Sequence, residues 1–207
     1  MIEVEFLGTG TSTGVPQLGC ECEVCKSADP RDKRLRCSAI VRTQGVSLLI
    51  DCGPDFRQQM LRASDLHLDA LLITHSHYDH VGGMDDLRPY CREIPFPVYA
   101  QPNVVADIKA RIPYCFREHL YPGVPTFDMH PLTGKPFDVK GVRVEPLPVM
   151  HYKLPIFGYR IGNLAYITDA KTIPPSTIAR QQGIDTLIIN ALRFEPHLSH
   201  MNLEETL

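Results

Sequence analysis

His75-Ser76-His77-Tyr78-Asp79-His80, with Val81-Gly82-Gly83 behind it, places three imidazoles and one carboxylate within six residues. The stretch follows directly on an apolar segment, residues 68–74, that reads as a buried strand. A short turn at the end of such a strand can wrap neutral nitrogen donors and a carboxylate oxygen around a divalent cation. The cluster therefore points to a metal-dependent hydrolase, and little else in the chain would suggest catalysis by itself.

The bulk properties are compatible with that reading. At 207 residues and 43% hydrophobic content, the chain fits a single domain spanning 1–207 with a sizeable core. No apolar run is long enough to span a bilayer, and Met1-Ile2-Glu3-Val4 carries acid where a leader peptide would be basic. A cytoplasmic location and no membrane partner are expected. A formal net charge of −3 argues against a dedicated nucleic-acid binder. Residues 26–42 hold Lys26, Arg31, Lys33, Arg34, Arg36 and Arg42 against Asp29 and Asp32, and read as a solvated mixed-charge loop in preference to a phosphate patch. The seven cysteines are odd in number and unevenly spaced, which favours metal ligation or buried thiols over a disulfide framework.

Working outward from the cluster, residues 2–7 read as a strand running into the glycine-rich loop Gly8-Thr9-Gly10-Thr11-Ser12-Thr13-Gly14. That loop lacks the Walker lysine and is no P-loop; it reads as a loop needing positive φ. Residues 38–42 and 46–50 form a hairpin around Gln44-Gly45, ending in Asp51-Cys52-Gly53. Helices are expected over 55–63 and 104–111, a helix or loop over 84–90, and a short strand over 98–100. The proline- and aromatic-rich residues 112–137 read as an irregular loop or lid. Residues 142–149 form a strand ending at Met150-His151, and 156–161 with 164–168 a hairpin ending at Asp169. A helix over 176–182 precedes a fully apolar strand of the buried type over 186–190. The last residues begin a helix capped by Asn202 or Ser199. Since Leu207 falls inside that helix with no stop signal, the C-terminal end of the domain is expected to be missing.

Candidate ligands thus recur at four strand ends: Asp51, His75 with its neighbours, His151 and Asp169. Side chains at the termini of a rigid sheet can converge with the accuracy a metal needs.

Thr74-His75-Ser76-His77-Tyr78-Asp79-His80-Val81-Gly82-Gly83 resembles the signature of the metallo-β-lactamase superfamily, and the order of the surrounding segments resembles it over nearly the whole chain. The resemblance implies an α/β fold, a four-layer αββα sandwich, with a dinuclear site at one edge of its sheets. It implies that His75, His77 and His151 hold one divalent cation, that Asp79 and His80 hold the second, and that Asp169 bridges both. Asp51 would orient a ligand by accepting its N–H or, equally, cap a turn. The family's further histidine for the second cation has no counterpart before Leu207. The metal is Zn or Mn, with Fe also suited to such donors.

Cys20-Glu21-Cys22-Glu23-Val24-Cys25 groups three thiols that suit a structural zinc, with Cys37 a candidate fourth ligand. Together with residues 7–16 and 83–90, this cluster is similar to the cyclic-phosphate phosphodiesterases of phosphonate degradation, which act on 5-phosphoribosyl 1,2-cyclic phosphate. In that family a C-terminal histidine completes the zinc site and a late histidine acts on substrate. The resemblance makes His200 and Asp79 the catalytic candidates, with His197 a close rival of His200. Arg88 or the 26–42 loop would be the source of a cation for a second phosphate, although Arg88 fits a pairing with Asp85 or Asp86 better. The expected partner is a small phosphorylated substrate and no nucleic acid, and a homodimer is compatible with the sequence. Competing functions are a transfer-RNA 3′-end endonuclease, a thioester hydrolase and a metal-binding module without turnover.

Overall fold

The computed structural model describes every residue from Met1 to Leu207. The chain divides into two compact units, Met1–Pro131 and Leu132–Leu207, each built on one sheet.

The first unit carries a six-stranded sheet in the order β1 (Ile2–Gly8), β2 (Ser38–Thr43), β3 (Val46–Ile50), β4 (Ala70–Leu72), β5 (Phe96–Ala100) and β6 (Phe127–Pro131). The first three strands pair antiparallel and the rest parallel. Gln44 and Gly45 turn β2 into β3 with φ of 52° and 77°, the left-handed pair that matches strand twist in a two-residue hairpin. Every residue of β3 and β4 is buried, as expected for apolar strands covered on both faces. Because β3 and β4 run parallel with Ile50 opposite Leu72, the chain leaves both at the same end of the sheet. Asp51 and the histidine cluster therefore emerge side by side, and the Asp51 N–H continues the ladder to the Leu72 carbonyl at 3.0 Å.

The helices of this unit are short: α1 (Glu23–Lys26), α2 (Phe56–Met60), α3 (Tyr78–Val81) and α4 (Pro102–Arg111), with a 3-10 turn over Met84–Cys91. Pro102 opens α4, where its missing N–H costs nothing. Val104, Val105 and Ile108 of α4 share a core with Leu49, Leu71, Ile73, Phe56 and Leu87. Residues 112–137 are more ordered than their composition suggests: Phe127–Pro131 forms β6, pairing with β5 along its whole length. As an edge strand it tolerates a terminal proline and needs no strict alternation, so its pattern is weak.

The second unit carries a five-stranded sheet in the order β11 (Thr186–Ile189), β10 (Leu164–Ile167), β9 (Leu154–Ile161), β8 (Val142–His151) and β7 (Phe137–Val139), with helices α5 (Pro175–Ala179) and α6 (Leu203–Thr206). The long β8–β9 hairpin is in register from Val144 opposite Ile161 to His151 opposite Leu154, which fixes His151 at its tip. The expectation of a fully buried β11 is not met: it is the edge strand, and Leu187 is 45% exposed. A run of apolar residues does not distinguish the edge of a sheet from its centre. Asn202 caps α6 through a full capping box with Glu205. No helix is long and apolar enough to cross a membrane.

Two glycines let the segment after β3 meet the histidine cluster. A Cβ on Gly53 would lie 2.0 Å from the Asp79 carbonyl, and one on Gly83 would lie 2.0 Å from the Gly53 carbonyl. The backbone bonds Cys52 N–H to His80 carbonyl (2.7 Å) and Gly83 N–H to Cys52 carbonyl (2.9 Å) hold that approach. Gly83→Ala is expected to destabilise the protein by about 2 kcal/mol or more, because backbone must shift on both sides; chemical denaturation of the variant against the parent measures it.

Candidate metal centre

Asp51 lies at the end of β3 with φ of 59°, a left-handed conformation that Asp adopts more readily than most residues. Its carboxylate is wholly buried and accepts three hydrogen bonds: from the Thr74 N–H (2.8 Å), the Thr74 hydroxyl (2.8 Å) and His80 Nδ1 (2.7 Å). Burial pushes its pKa above the ordinary value, and the adjacent His80 and the Thr74 donors pull against that rise.

These bonds settle the state of two imidazoles. A carboxylate only accepts, so His80 carries its proton on Nδ1 and its lone pair on Nε2. The Thr74 hydroxyl spends its proton on Asp51, so at 3.0 Å from His75 Nδ1 it acts as acceptor, and the His75 lone pair is likewise on Nε2. That Nε2 lies 3.0 Å from His77 Nδ1, and His80 Nε2 lies 3.3 Å from Asp79 Oδ2. His75 and His80 are buried, while His77 faces solvent. The four donors read from the cluster lie close together, and Asp51 bonds directly to His80 and, through the Thr74 hydroxyl, reaches His75, while it also accepts the Thr74 N–H.

In the second unit, His151 ends β8, and its Nδ1 donates to the Ser199 carbonyl at 2.9 Å, leaving the lone pair on Nε2. Asp169 follows β10 with φ of 55°. His151, Asp169 and His200 bring donor atoms within 4.8 Å of one another. His200 Nδ1 is 3.9 Å from Asp169 Oδ1, and its ring lies 4.7 Å from that of His151. His197 lies a step away: its ring is 5.0 Å from His200, and its Nδ1 accepts from Ser199 N–H at 3.3 Å. Between the two late histidines, the structure brings His200 to the donors. The turn that carries it is stitched down by Met201 N–H to the Ala170 carbonyl (2.8 Å) and Asn202 Nδ2 to the Phe194 carbonyl (3.0 Å).

Cys20, Cys22 and Cys25 form a separate group within 4.8 Å, around the start of α1. The Cys25 N–H points at Cys22 Sγ (3.5 Å) and lowers that thiol's pKa, which suits a thiolate ligand. Cys37 is not part of the group. Of the other candidate anion holders, Arg88 pairs with Asp85, Arg36 with Asp55, Arg42 with Glu3 and Glu5, Arg31 with Asp29 and Lys26 with Glu21, while Lys33 donates to the Cys25 carbonyl. Asp85 also takes the Tyr114 hydroxyl at 2.6 Å, which pushes the Tyr114 pKa well up and keeps it a donor.

Sequence reasoning missed Thr74 and Ser199. Thr74 had a signal in its place between strand and first histidine; the Ser199 contribution is a main-chain carbonyl, which no side-chain motif reports. Asp51→Asn would turn an NH₂ toward a donor whichever way the amide is placed: at the Oδ2 position it faces His80 Nδ1 and drives that proton onto Nε2, and at the Oδ1 position it faces the Thr74 N–H. Metal affinity measured by chelator competition is expected to fall roughly 10- to 100-fold.

Comparison with known proteins agrees with this geometry. A family profile described as beta-lactamase superfamily domain matches residues 47–207. The crystal structure of a diphosphatase from the PhnP family superposes with a TM-score of 0.90 at 37% identity, covering 100% of this chain and 80% of that one. A Porphyromonas gingivalis protein named octanoyltransferase is 48% identical over 205 residues, covering 98% of this chain and 42% of its own length. Ribonuclease Z of Mycobacterium sp. (strain KMS) is 27% identical over 214 residues, covering 93% and 70%. The chain spans about two fifths of the length of the first curated relatives it matches. The expected metallo-β-lactamase type of fold is the one found: the chain belongs to the β-lactamase superfamily, in its metal-dependent branch, and resembles the PhnP family within it.

Proposed function

We propose that the protein is a metal-dependent phosphodiesterase that hydrolyses a small cyclic phosphate ester. The observation that carries this reading is the tautomer control just described: Asp51, Thr74 and Ser199 fix the proton on Nδ1 of His80, His75 and His151, so each presents Nε2 as a donor. That arrangement suits metal ligands. His75, His77, Asp79, His80, His151 and Asp169 are the proposed ligands of two divalent cations, Zn or Mn, and Cys20, Cys22 and Cys25 those of a structural zinc. Two such cations supply a nucleophilic water at neutral pH and offset charge on the phosphoryl oxygens.

The chain's own residues do the rest. Asp169, in its constrained backbone, offers two carboxylate oxygens, enough to serve two cations. His200, whose Nδ1 lies 3.9 Å from Asp169 Oδ1, is the proposed donor of a proton to the departing alkoxide. The likeness to a PhnP-family diphosphatase supports a small phosphorylated substrate. The name octanoyltransferase belongs to a protein of which more than half lies outside the matched stretch, and we assign the transferase chemistry to that remainder. An endonuclease acting on transfer-RNA ends is the second reading, favoured by the 93% coverage of this chain by ribonuclease Z.

Turnover of 5-phosphoribosyl 1,2-cyclic phosphate, bis-para-nitrophenyl phosphate, precursor transfer RNA and a thioester separates the readings. Hydrolysis of the cyclic phosphate is expected, and cleavage of the RNA alone would overturn it. Asp169→Ala should abolish both activity and metal loading. His200→Ala should keep its metal, by elemental analysis, while kcat falls about 10²- to 10⁴-fold; metal loss would instead make His200 a ligand.

A further inference from the structure

Four hairpins of this chain turn on two residues each: Thr43 faces Val46 across Gln44-Gly45, Val139 faces Val142 across Lys140-Gly141, Ile161 faces Leu164 across Gly162-Asn163, and His151 faces Leu154 across Tyr152-Lys153. Turns this tight need left-handed backbone, which glycine supplies without a steric cost. Three of the four contain one, with φ of 77° at Gly45, 90° at Gly141 and 56° at Gly162. The turn that follows His151 has none, and Tyr152 itself takes φ of 53°.

The β9–β10 turn is the internal reference. There, as after β8, left-handed φ falls on the first turn residue alone, and that residue is glycine. An aromatic side chain at the matching place is an outlier, because its Cβ crowds the carbonyl oxygen. Strain of this kind gathers where function requires a particular side chain. Burial does not explain the choice: Tyr152 is 47% exposed, and Lys153 is exposed as well. The Lys153 ammonium lies 5.3 Å from the Tyr152 ring centroid, a contact that water weakens at such exposure. Position does explain it. Tyr152 directly follows His151, whose Nδ1 donates to the Ser199 carbonyl and whose lone pair is on Nε2. Neighbouring Cα atoms are about 3.8 Å apart, so a tyrosine ring here is within reach of a molecule held at the His151 donor.

We infer that Tyr152 is a specificity-determining residue whose ring stacks on a ring of the organic group esterified to the scissile phosphate. The inference rests on the phosphodiesterase reading and adds a preference to it: diesters with a ring next to the phosphate bind better than those with a small alkyl group. Tyrosine offers a broad flat face for such a contact, and Lys153 covers at most one of its two faces.

The test uses the metal-loaded protein with phenylphosphonate and methylphosphonate, which share a headgroup, differ in the ring and have no ester bond to hydrolyse. Calorimetry should find phenylphosphonate bound more tightly by the parent. Tyr152→Gly should weaken that binding roughly three- to tenfold, the range for an aromatic pair, and change methylphosphonate by less than about twofold. Tyr152→Phe should match the parent. In Tyr152→Gly the metal content should be unchanged and the denaturation midpoint level or higher, because glycine relieves the torsion. A lower midpoint with both probes weakened together would make Tyr152 a structural residue and overturn the inference, as would a parent that does not prefer the phenyl probe. Turnover keeps this separate from the hydrolase reading. Tyr152→Gly should raise KM for bis-para-nitrophenyl phosphate and leave methyl para-nitrophenyl phosphate near the parent value. A phenyl preference lost in Tyr152→Gly supports stacking even if neither diester is hydrolysed, which would reject the hydrolase alone. Hydrolysis of both diesters with KM unmoved by Tyr152→Gly rejects the stacking alone.

Discussion

One buried carboxylate organises the first unit. Asp51 gathers three donors at the end of β3, two from Thr74 and one from His80, and through the Thr74 hydroxyl it reaches His75 as well. A carboxylate can enter a core only when its lone pairs are met, and here the groups that meet them belong to the histidine cluster. Stability and ligand orientation therefore share the same bonds: the fold cannot satisfy Asp51 without setting the imidazoles. The parallel pairing of β3 and β4 makes this reachable, because it brings both strand ends to one place.

The second unit reaches a similar end by a different route. There a main-chain carbonyl accepts from His151, presented by a turn that hydrogen bonds to Ala170 and Phe194 hold in place. The late histidine His200 travels on that same turn, so the group that fixes one imidazole also delivers another. The capping box of Asn202 and Glu205 continues the constraint into α6.

What could be read from the residues divides along physical lines. Strand ends, the hairpin turn at Gln44-Gly45 and the donor cluster were legible because each has a local signature: alternation, a left-handed turn pair, or dense ligand chemistry. The cap on α6 was legible for the same reason. β6 was not, because an edge strand needs no alternating pattern, and β11 was placed in the core because apolar content alone carries no information about its neighbours in the sheet. Of the site, the side-chain donors could be named individually. The Ser199 carbonyl could not, since it lies far from His151 in the chain and is a group without a motif. The glycine loop was expected to need left-handed backbone; Gly14 does, with φ of 67°, but Gly8 and Gly10 are required for another reason, as a Cβ on either would strike the carbonyls of residues 34–36.

Asp51 and Asp169 also share a backbone conformation with left-handed φ, at the very positions where a carboxylate is wanted. Few side chains accept that geometry, and among them only aspartate is an anion. Glycine and asparagine would keep the chain path and forfeit the charge. Glutamate would keep the charge, at the cost of a disfavoured main-chain torsion and a headgroup one carbon farther out. Exchange of either aspartate for glutamate is thus disfavoured on two counts, the main-chain torsion and the reach of the headgroup.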